Sequence, residues 1–310
     1  MTDSDSTATL NWSTLDLPAG PLAGTTPLRW ADAGPDDGPH VTITCGVHGD
    51  EGPWSALAVR DMLARRGHEL RGRVRIVLAA NPTAVEADAR NSPFDHLDLN
   101  RTFPGSATGS HTERLAVALS ELTDGSELLI DLHGGGSWCV NAFVFRFPGS
   151  EDLADAVGAP FVVDMPIRTG NLAGHVSARG SRIVAIEMGG RSVDELLWRD
   201  RLSTGIERVL ETANVLERRA EPPFASVPVR DLDVVRPDRG GVLVPDVRQD
   251  AIGTVVPKGT RLGVVHDLHT LDPVEELTAP FERTAMCLIR PHVTVLEGGA
   301  MTYVVGRADG

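Results

Sequence analysis

The sequence predicts an α/β protein built on a mixed, mainly parallel sheet with helices on both faces, followed by a β-rich C-terminal domain. Three observations support this. From Thr26 to Met188, short apolar runs alternate with segments of helical period, the pattern of strands joined by crossover helices. After the joint Glu221-Pro222-Pro223 the chain changes to short β-type runs broken by Gly, Pro and Asp, with no helix of ordinary length from Phe224 to Gly310. The length, 310 residues, suits one large domain or one large and one small.

The elements follow in order. Residues 1–24 are rich in Ser, Thr, Pro and Gly and read as a loose lead-in to a first domain over 25–222. Val41–Cys45 reads as a strand and Pro53–Arg66 as a helix, with Leu57, Met62 and Leu63 at helical spacing. Val74–Ala80 is a second strand. Ser110 and Glu113 stand in capping-box spacing at the head of a helix to Leu122. Leu128–Leu132, Ala142–Phe147 and Ile183–Ile186 are further strands, and Val193–Arg218 is one or two helices. Residues 223–310 form a small all-β domain with runs such as Gly241–Val244, Gly253–Val256 and Leu262–Val265.

Composition narrows the function. A net charge of −14 argues against a nucleic-acid partner, which needs basic surface to meet phosphates. No apolar run approaches the roughly 20 residues that span a bilayer, and the acidic start Met-Thr-Asp-Ser-Asp lacks a signal-peptide core. Three scattered cysteines, Cys45, Cys139 and Cys287, fit a reducing cytoplasm better than a disulfide framework. The single lysine, Lys258, sits in a Pro-Lys-Gly-Thr turn, and no phosphate-binding P-loop exists. A homo-oligomer would be compatible with all of this.

Strand Val41–Cys45 runs into Gly46-Val47-His48-Gly49-Asp50-Glu51-Gly52. His48 and Glu51 therefore lie past the carboxyl edge of a strand, where α/β sheets build their sites. An imidazole and a carboxylate three residues apart can converge on one cation around a tight turn that Gly49 and Gly52 permit. A catalytic zinc needs three protein ligands and one open position. Leu128–Leu132 runs directly into His133-Gly134-Gly135-Gly136 and supplies the third. One zinc per chain held there would bring the pKa of its bound water to roughly 7 and polarise a carbonyl. An HxxE pair alone is common by chance; two strand ends carrying His, Glu and His are less so.

Between these segments stand Arg90 and Asp98-Leu99-Asn100-Arg101-Thr102-Phe103-Pro104-Gly105, a loop dense in hydrogen-bonding groups. The arginine fork suits carboxylate recognition, and the plain alternative is a surface loop laced by ion pairs. Glu187 closes the strand Ile183–Ile186 beside Gly189-Gly190, a placement that suits a general base, although acidic strand ends are routine.

Taken together, His48–Glu51, Asn81-Pro82, Arg90, Asp98–Gly105, Asp131–His133 and Glu187–Gly190 resemble the succinylglutamate desuccinylase/aspartoacylase family, related to the zinc carboxypeptidases. The gap between Glu187 and the β domain is similar to that of the bacterial branch that deacylates N-acyl diamino acids. The resemblance implies that His48, Glu51 and His133 hold zinc and that Glu187 is the general base and then proton donor to the leaving amine. It implies that Arg90 stabilises the oxyanion. It further implies that Asn100 and Arg101 hold the carboxylate of a small N-acyl amino acid or related amide, cleaved to a short carboxylic acid and an amine. Spacing suggests Asp98 and Asp131 as partners that orient the histidines. Arg146, Arg168 and Arg179 are unranked candidates for substrate contact.

Three rivals remain at this point. His133–Gly136 matches the HGGG oxyanion motif of serine esterases, but Gly190-Arg191-Ser192-Val193-Asp194 fails as the nucleophile elbow. A non-catalytic zinc-binding protein of the same fold is the second; Gly253–Val265 resembles a biotinyl or lipoyl repeat, with Lys258 in the wrong context for attachment. The third is a carboxypeptidase acting on short peptides. Trp54 and Trp138 are candidate pocket walls, and Tyr303 reads as core.

Overall fold

The computed structural model describes residues 9–19, 24–191, 195–219 and 224–309. Its strands and helices are, in order, β1 Asn11–Ala19, β2 Gly24–Ala33, β3 His40–Cys45, α1 Gly52–Arg66, β4 Arg73–Val77, α2 Pro82–Glu86, α3 His111–Leu122, β5 Leu128–His133, β6 Val140–Arg146, α4 Glu151–Val157 and β7 Phe161–Asp164. There follow α5 Leu172–Ser177, β8 Arg182–Gly189, α6 Glu195–Thr212, β9 Val227–Val235, β10 Gly241–Pro245, β11 Val255–Pro257, β12 Arg261–His266, β13 Pro273–Thr278, β14 Arg283–Ile289, β15 Thr294–Leu296 and β16 Tyr303–Ala308.

Alternation along the central strands explains the layers. On β3, Val41, Ile43 and Cys45 face one way and join Ile130, Val184 and Ile186 beneath α1, α4 and α6. Leu129 of β5 and Ile183 and Ala185 of β8 face the other way, onto Leu115 and Leu119 of α3 and Val176 of α5. Helix α3 starts at the reciprocal cap read from the sequence. Ser110 Oγ accepts the Glu113 N–H, and the Glu113 carboxylate accepts the Ser110 N–H at 2.7 Å.

The sheet is mixed, with order β1-β2-β4-β3-β5-β8-β6-β7-β9-β16-β14-β11. The expectation of a mainly parallel sheet is corrected here. Parallel pairing is confined to β4-β3-β5-β8 and to β6-β7-β9, while β6 runs antiparallel to β8 and both flanks are antiparallel. Alternating strands and helices signal crossovers but do not reveal that β6 enters reversed, because a short connection brings it back beside β8. A second sheet, β13-β12-β10-β15, is antiparallel.

Asn11–Ala19, inside the stretch read as a loose lead-in, is strand β1, paired antiparallel with β2 from Asn11↔Asp32 to Ala19↔Gly24. Its alternation of Leu15 and Leu17 with Thr14 and Asp16 lay hidden among turn-formers. The joint Glu221-Pro222-Pro223 and the residues Ser192–Asp194 lie outside the described residues. Beyond the joint, the described residues contain strands and one 3-10 turn but no α-helix. These strands do not all form a sheet of their own: β9 pairs with β7, and β14 pairs with β6. The pairings β6–β7–β9–β16–β14–β6 therefore return to the starting strand and close a five-stranded ring.

Candidate active site

The site begins where β3 ends. After Cys45 the chain turns through Gly46, at φ +66°, and the Ala80 and Asn81 N–H groups bond back to the Cys45 and Gly46 carbonyls. A 3-10 turn over Gly49–Glu51 then feeds α1. Gly49 is required here: a Cβ would lie 2.0 Å from the Ala84 carbonyl carbon of α2. This close approach turns His48 and Glu51 inward, to 4 % and 5 % exposure. His133, the last residue of β5, is 3 % exposed beside them.

Three ligand-type atoms of His48, Glu51 and His133 lie within 4.8 Å of one another. The two imidazoles face the same carboxylate, His48 Nδ1 at 3.0 Å from Oε1 and His133 Nδ1 at 2.9 Å from Oε2. Each opposite ring nitrogen has its own carboxylate: His48 Nε2 meets Asp98 Oδ1 at 3.1 Å, and His133 Nε2 meets Asp131 Oδ2 at 3.0 Å. A carboxylate at Nε2 holds the proton there and leaves the Nδ1 lone pair facing inward. His48 Nδ1 is buried and makes no hydrogen bond to the described residues, despite its nearness to Glu51. Two inward lone pairs and one carboxylate are a donor set that fits a divalent cation such as zinc. Burial opposes ionisation of Glu51 and of Asp98, but the adjacent His48, with His133 or Arg90, holds both well below the usual carboxylate range. Asp131, also accepting from Thr44 Oγ1 at 2.7 Å, is held low by His133.

Glu187 is placed differently from the sequence reading. It does not close its strand but lies within β8, which continues to Gly189. The apolar run ends at Ile186, but hydrogen bonding to β6 continues for three more residues, through Asn141↔Gly189. In register Glu187 stands opposite His133 on one side and Phe143 on the other. Its carboxylate keeps some surface toward a cavity, yet burial pushes it up to about 7, with the charge of Glu51 adding and His133 opposing. Asn141 Nδ2 donates to Glu187 Oε2 at 2.7 Å. Sequence reasoning missed Asn141, since an asparagine one residue into an apolar strand carries no motif.

The cavity has a volume of about 760 Å³ and brings together His48, Glu51, His133, Glu187, Arg90, Asn100 and Arg101. Every predicted site residue lines it. Arg90 spans Glu51 Oε1 at 3.2 Å and Asp98 Oδ2 at 3.0 Å. Asn100 Oδ1 accepts the Leu172 N–H at 3.0 Å, and its Nδ2 lies 3.4 Å from His133 Nε2. Arg101 is exposed and donates to the Asn100 carbonyl at 2.7 Å. Of the three unranked arginines, Arg168 lines the cavity. Arg146 is paired with Asp164 and Asp155, and Arg179 with Asp124, all outside the cavity lining. Trp138 is a wall, whereas Trp54 is core, its indole N–H donating to the Met188 carbonyl at 3.2 Å. Tyr303 is fully buried with its hydroxyl on the Leu262 carbonyl at 2.7 Å. Lys258 is exposed, 3.7 Å from Glu282. The Gly135 N–H of the HGGG stretch bonds the Gly189 carbonyl at 2.9 Å, so it is not free to serve an oxyanion.

Comparisons with known proteins agree with this geometry. The model of the succinylglutamate desuccinylase/aspartoacylase catalytic domain matches residues 37–213. An N-alpha-acetyl-L-2,4-diaminobutyric acid deacetylase of Halomonas elongata is 30% identical over 252 residues, covering 75% of this chain and 72% of the relative. The crystal structure of a succinylglutamate desuccinylase/aspartoacylase from Rhodobacter sphaeroides superposes with TM-score 0.81 at 27% identity, over 100% of this chain and 98% of that one. The product-bound ectoine utilization protein of Ruegeria pomeroyi shares the fold with TM-score 0.83 at 24% identity, over 97% and 96% of the two chains. A cluster of two histidines and a glutamate at two adjacent strand ends, met by a half-buried glutamate from a third strand, thus sits inside a matched catalytic domain, and the chain belongs to the succinylglutamate desuccinylase/aspartoacylase family.

Proposed function

We propose that this chain is a zinc-dependent amidohydrolase that cleaves the amide of an N-acyl amino acid or a related carboxylate-bearing amide. One observation carries the reading: the His48–Glu51–His133 cluster shares a cavity with Glu187, which stands opposite His133 in the β5–β8 ladder. The activity of the Halomonas relative, deacetylation of N-alpha-acetyl-L-2,4-diaminobutyric acid, supports the same class.

His48 Nδ1, His133 Nδ1 and the Glu51 carboxylate would hold the zinc, with Asp98 and Asp131 orienting the rings. Zinc in that position supplies Lewis acidity, which polarises a carbonyl and makes water a nucleophile near neutral pH. Glu187 accepts a proton from the attacking water and returns it to the departing amine nitrogen. A carboxyl pushed up toward 7 is matched to both halves of that task. Asn141 holds the Glu187 carboxylate in one orientation while the proton moves. Arg90 is fixed by two carboxylates and presents its remaining N–H groups to the developing oxyanion. Because His133 Nε2 spends its proton on Asp131, the Asn100 Nδ2 hydrogens find no acceptor there and are available to a substrate carboxylate, next to Arg101.

The test is zinc content beside turnover of a panel of N-acetyl and longer N-acyl amino acids, read as released primary amine. About one zinc per chain with turnover is expected. Full zinc loading without hydrolysis of any panel member would overturn the reading.

A further inference from the structure

We infer that the substrate carries a large apolar group beside the scissile amide, an aromatic ring or a medium-length alkyl chain, and no second ammonium; this rests on the amidohydrolase reading above. The cavity continues past the polar cluster along β6. Phe143 and Phe145 occupy alternate positions there, so their rings project to one side, and Phe147, the residue after β6, continues the lining. The Phe143 and Phe145 centroids are 5.0 Å apart with planes at 76°, and those of Phe145 and Phe147 are 6.2 Å apart. Met165 extends this surface from the segment after β7, Met301 lines the cavity from the segment before β16, and Val304 lines it from β16. Phe143 stands opposite Glu187 in the β6–β8 register, so the apolar wall starts at the reacting bond. The lining continues from Phe143 past the end of β6 to Phe147. Phe143 and Phe147 are 5 % and 6 % exposed and Phe145 is half-buried, so an acetyl methyl would reach the first ring and leave the Phe145 face unfilled.

The charges on the cavity lining separate substrate classes. Its acidic residues are Glu51, Asp131 and Glu187, and each is committed: to the two histidines, to His133 and Thr44, and to Asn141 with the proton transfer. No carboxylate of the lining remains for a free ammonium such as that of a diamino acid. Three arginines on the lining, Arg101, Arg168 and Arg236, make no ion pair with the described residues. In a chain of net charge −14 these cations stand out, and they suit a carboxylate. An amphipathic N-acyl amino acid meets both sets of walls; a short polar diamino substrate offers its carboxylate to the arginines but leaves the apolar wall bare and its ammonium without a partner on the lining.

The experiment uses the zinc-loaded full chain and measures kcat/KM for N-acetylglycine, N-hexanoylglycine, N-acetylphenylalanine and N-alpha-acetyl-2,4-diaminobutyrate. Each methylene that reaches the wall is worth about fourfold in binding. The expected result is a gain of ~10–200-fold for the hexanoyl or the phenylalanine substrate over N-acetylglycine, with the diamino substrate at or below N-acetylglycine. Gain on the hexanoyl compound places the apolar group on the acyl side; gain on the phenylalanine compound places it on the amine side; either supports the inference. In Phe145→Asp the ratio of apolar to N-acetylglycine turnover should fall at least ~10-fold, and the chain-length series on wild type stands without this variant should it not fold. Turnover led by the diamino substrate, or independent of chain length on both sides, overturns the inference while leaving the amidohydrolase reading intact. Absence of any hydrolysis overturns that reading instead.

Discussion

The two ends of the cavity are built on opposite terms. At the His48–Glu51–His133 end the charged groups answer one another: Glu51 faces two imidazoles and Arg90, and each imidazole has a second carboxylate behind it. At the other end Phe143, Phe145, Met165 and Val304 give an apolar lining, contributed by segments some 160 residues apart in sequence. The polar end comes from the carboxyl edge of parallel strands and the loops that follow, within residues 48–187. The apolar end needs β9, β14 and β16 to come round and close on β6. The difference teaches that the polar cluster is complete within residues 48–187, whereas the apolar end also needs strands from beyond residue 222, so substitutions on those later strands should change fit and spare chemistry.

The largest effect expected is at the His48–Glu51–His133 end. Chelation of the wild type, or His133→Ala, should remove the zinc and bring amide hydrolysis to background, with elemental analysis and rate read together; activity that persists without zinc would dissolve the comparison. Glu187→Gln should keep the zinc and lower kcat by ~100-fold or more. Its pH profile sharpens the point. The role proposed for Glu187 needs its ionised form, so activity should be lost as pH falls through its pKa, raised to about 7 in the protein alone. A divalent cation nearby favours the carboxylate, placing that limb at or below pH 7, and the limb should vanish in the Gln variant. Asp131→Asn and Asp98→Asn should each weaken zinc affinity ~10–100-fold, measured by competition with a chromogenic chelator. The Asp131 effect should be the greater, because that group is 1 % exposed and has no water to replace it. At the apolar end, Val304→Ala should lower stability by about 1–2 kcal/mol in a denaturant melt and leave zinc affinity alone. Loss of zinc in that variant would show that the two ends are not separable.

Legibility in the sequence divides along the same line. His48, Glu51, His133 and Glu187 could be read because each follows an apolar run into a glycine-bearing segment, which local pattern records. Arg90, Asn100 and Arg101 were legible only as part of a motif; the fold brings them to the cavity through the 3-10 turn at Leu99–Arg101 and its cap, where Asp98 Oδ1 accepts the Asn100 N–H at 2.9 Å. The Phe143-Phe145-Phe147 face was not legible, since a strand with aromatic residues on one side looks the same whether it meets core or ligand. Arg236 and Asn141 were missed for a related reason: their meaning lies in which strand comes beside them, and pairing partners far apart in the chain leave no local trace. The reversed entry of β6 and the hairpin of β1 with β2 escaped in the same way.

The closed circuit of β6, β7, β9, β16 and β14 bears on recombination. A crossover near residue 222 would seem to exchange a module at a linker, but it would replace three staves of a five-stave hoop and leave β6 and β7 from the other parent. The incoming β9 would have to match Phe161↔Val227 and the incoming β14 would have to match Val140↔Ile289. Selectivity is therefore more safely transplanted by exchanging side chains within the hoop than by cutting across it, because a misaligned splice would carry its error through β6 to the strand that holds Glu187.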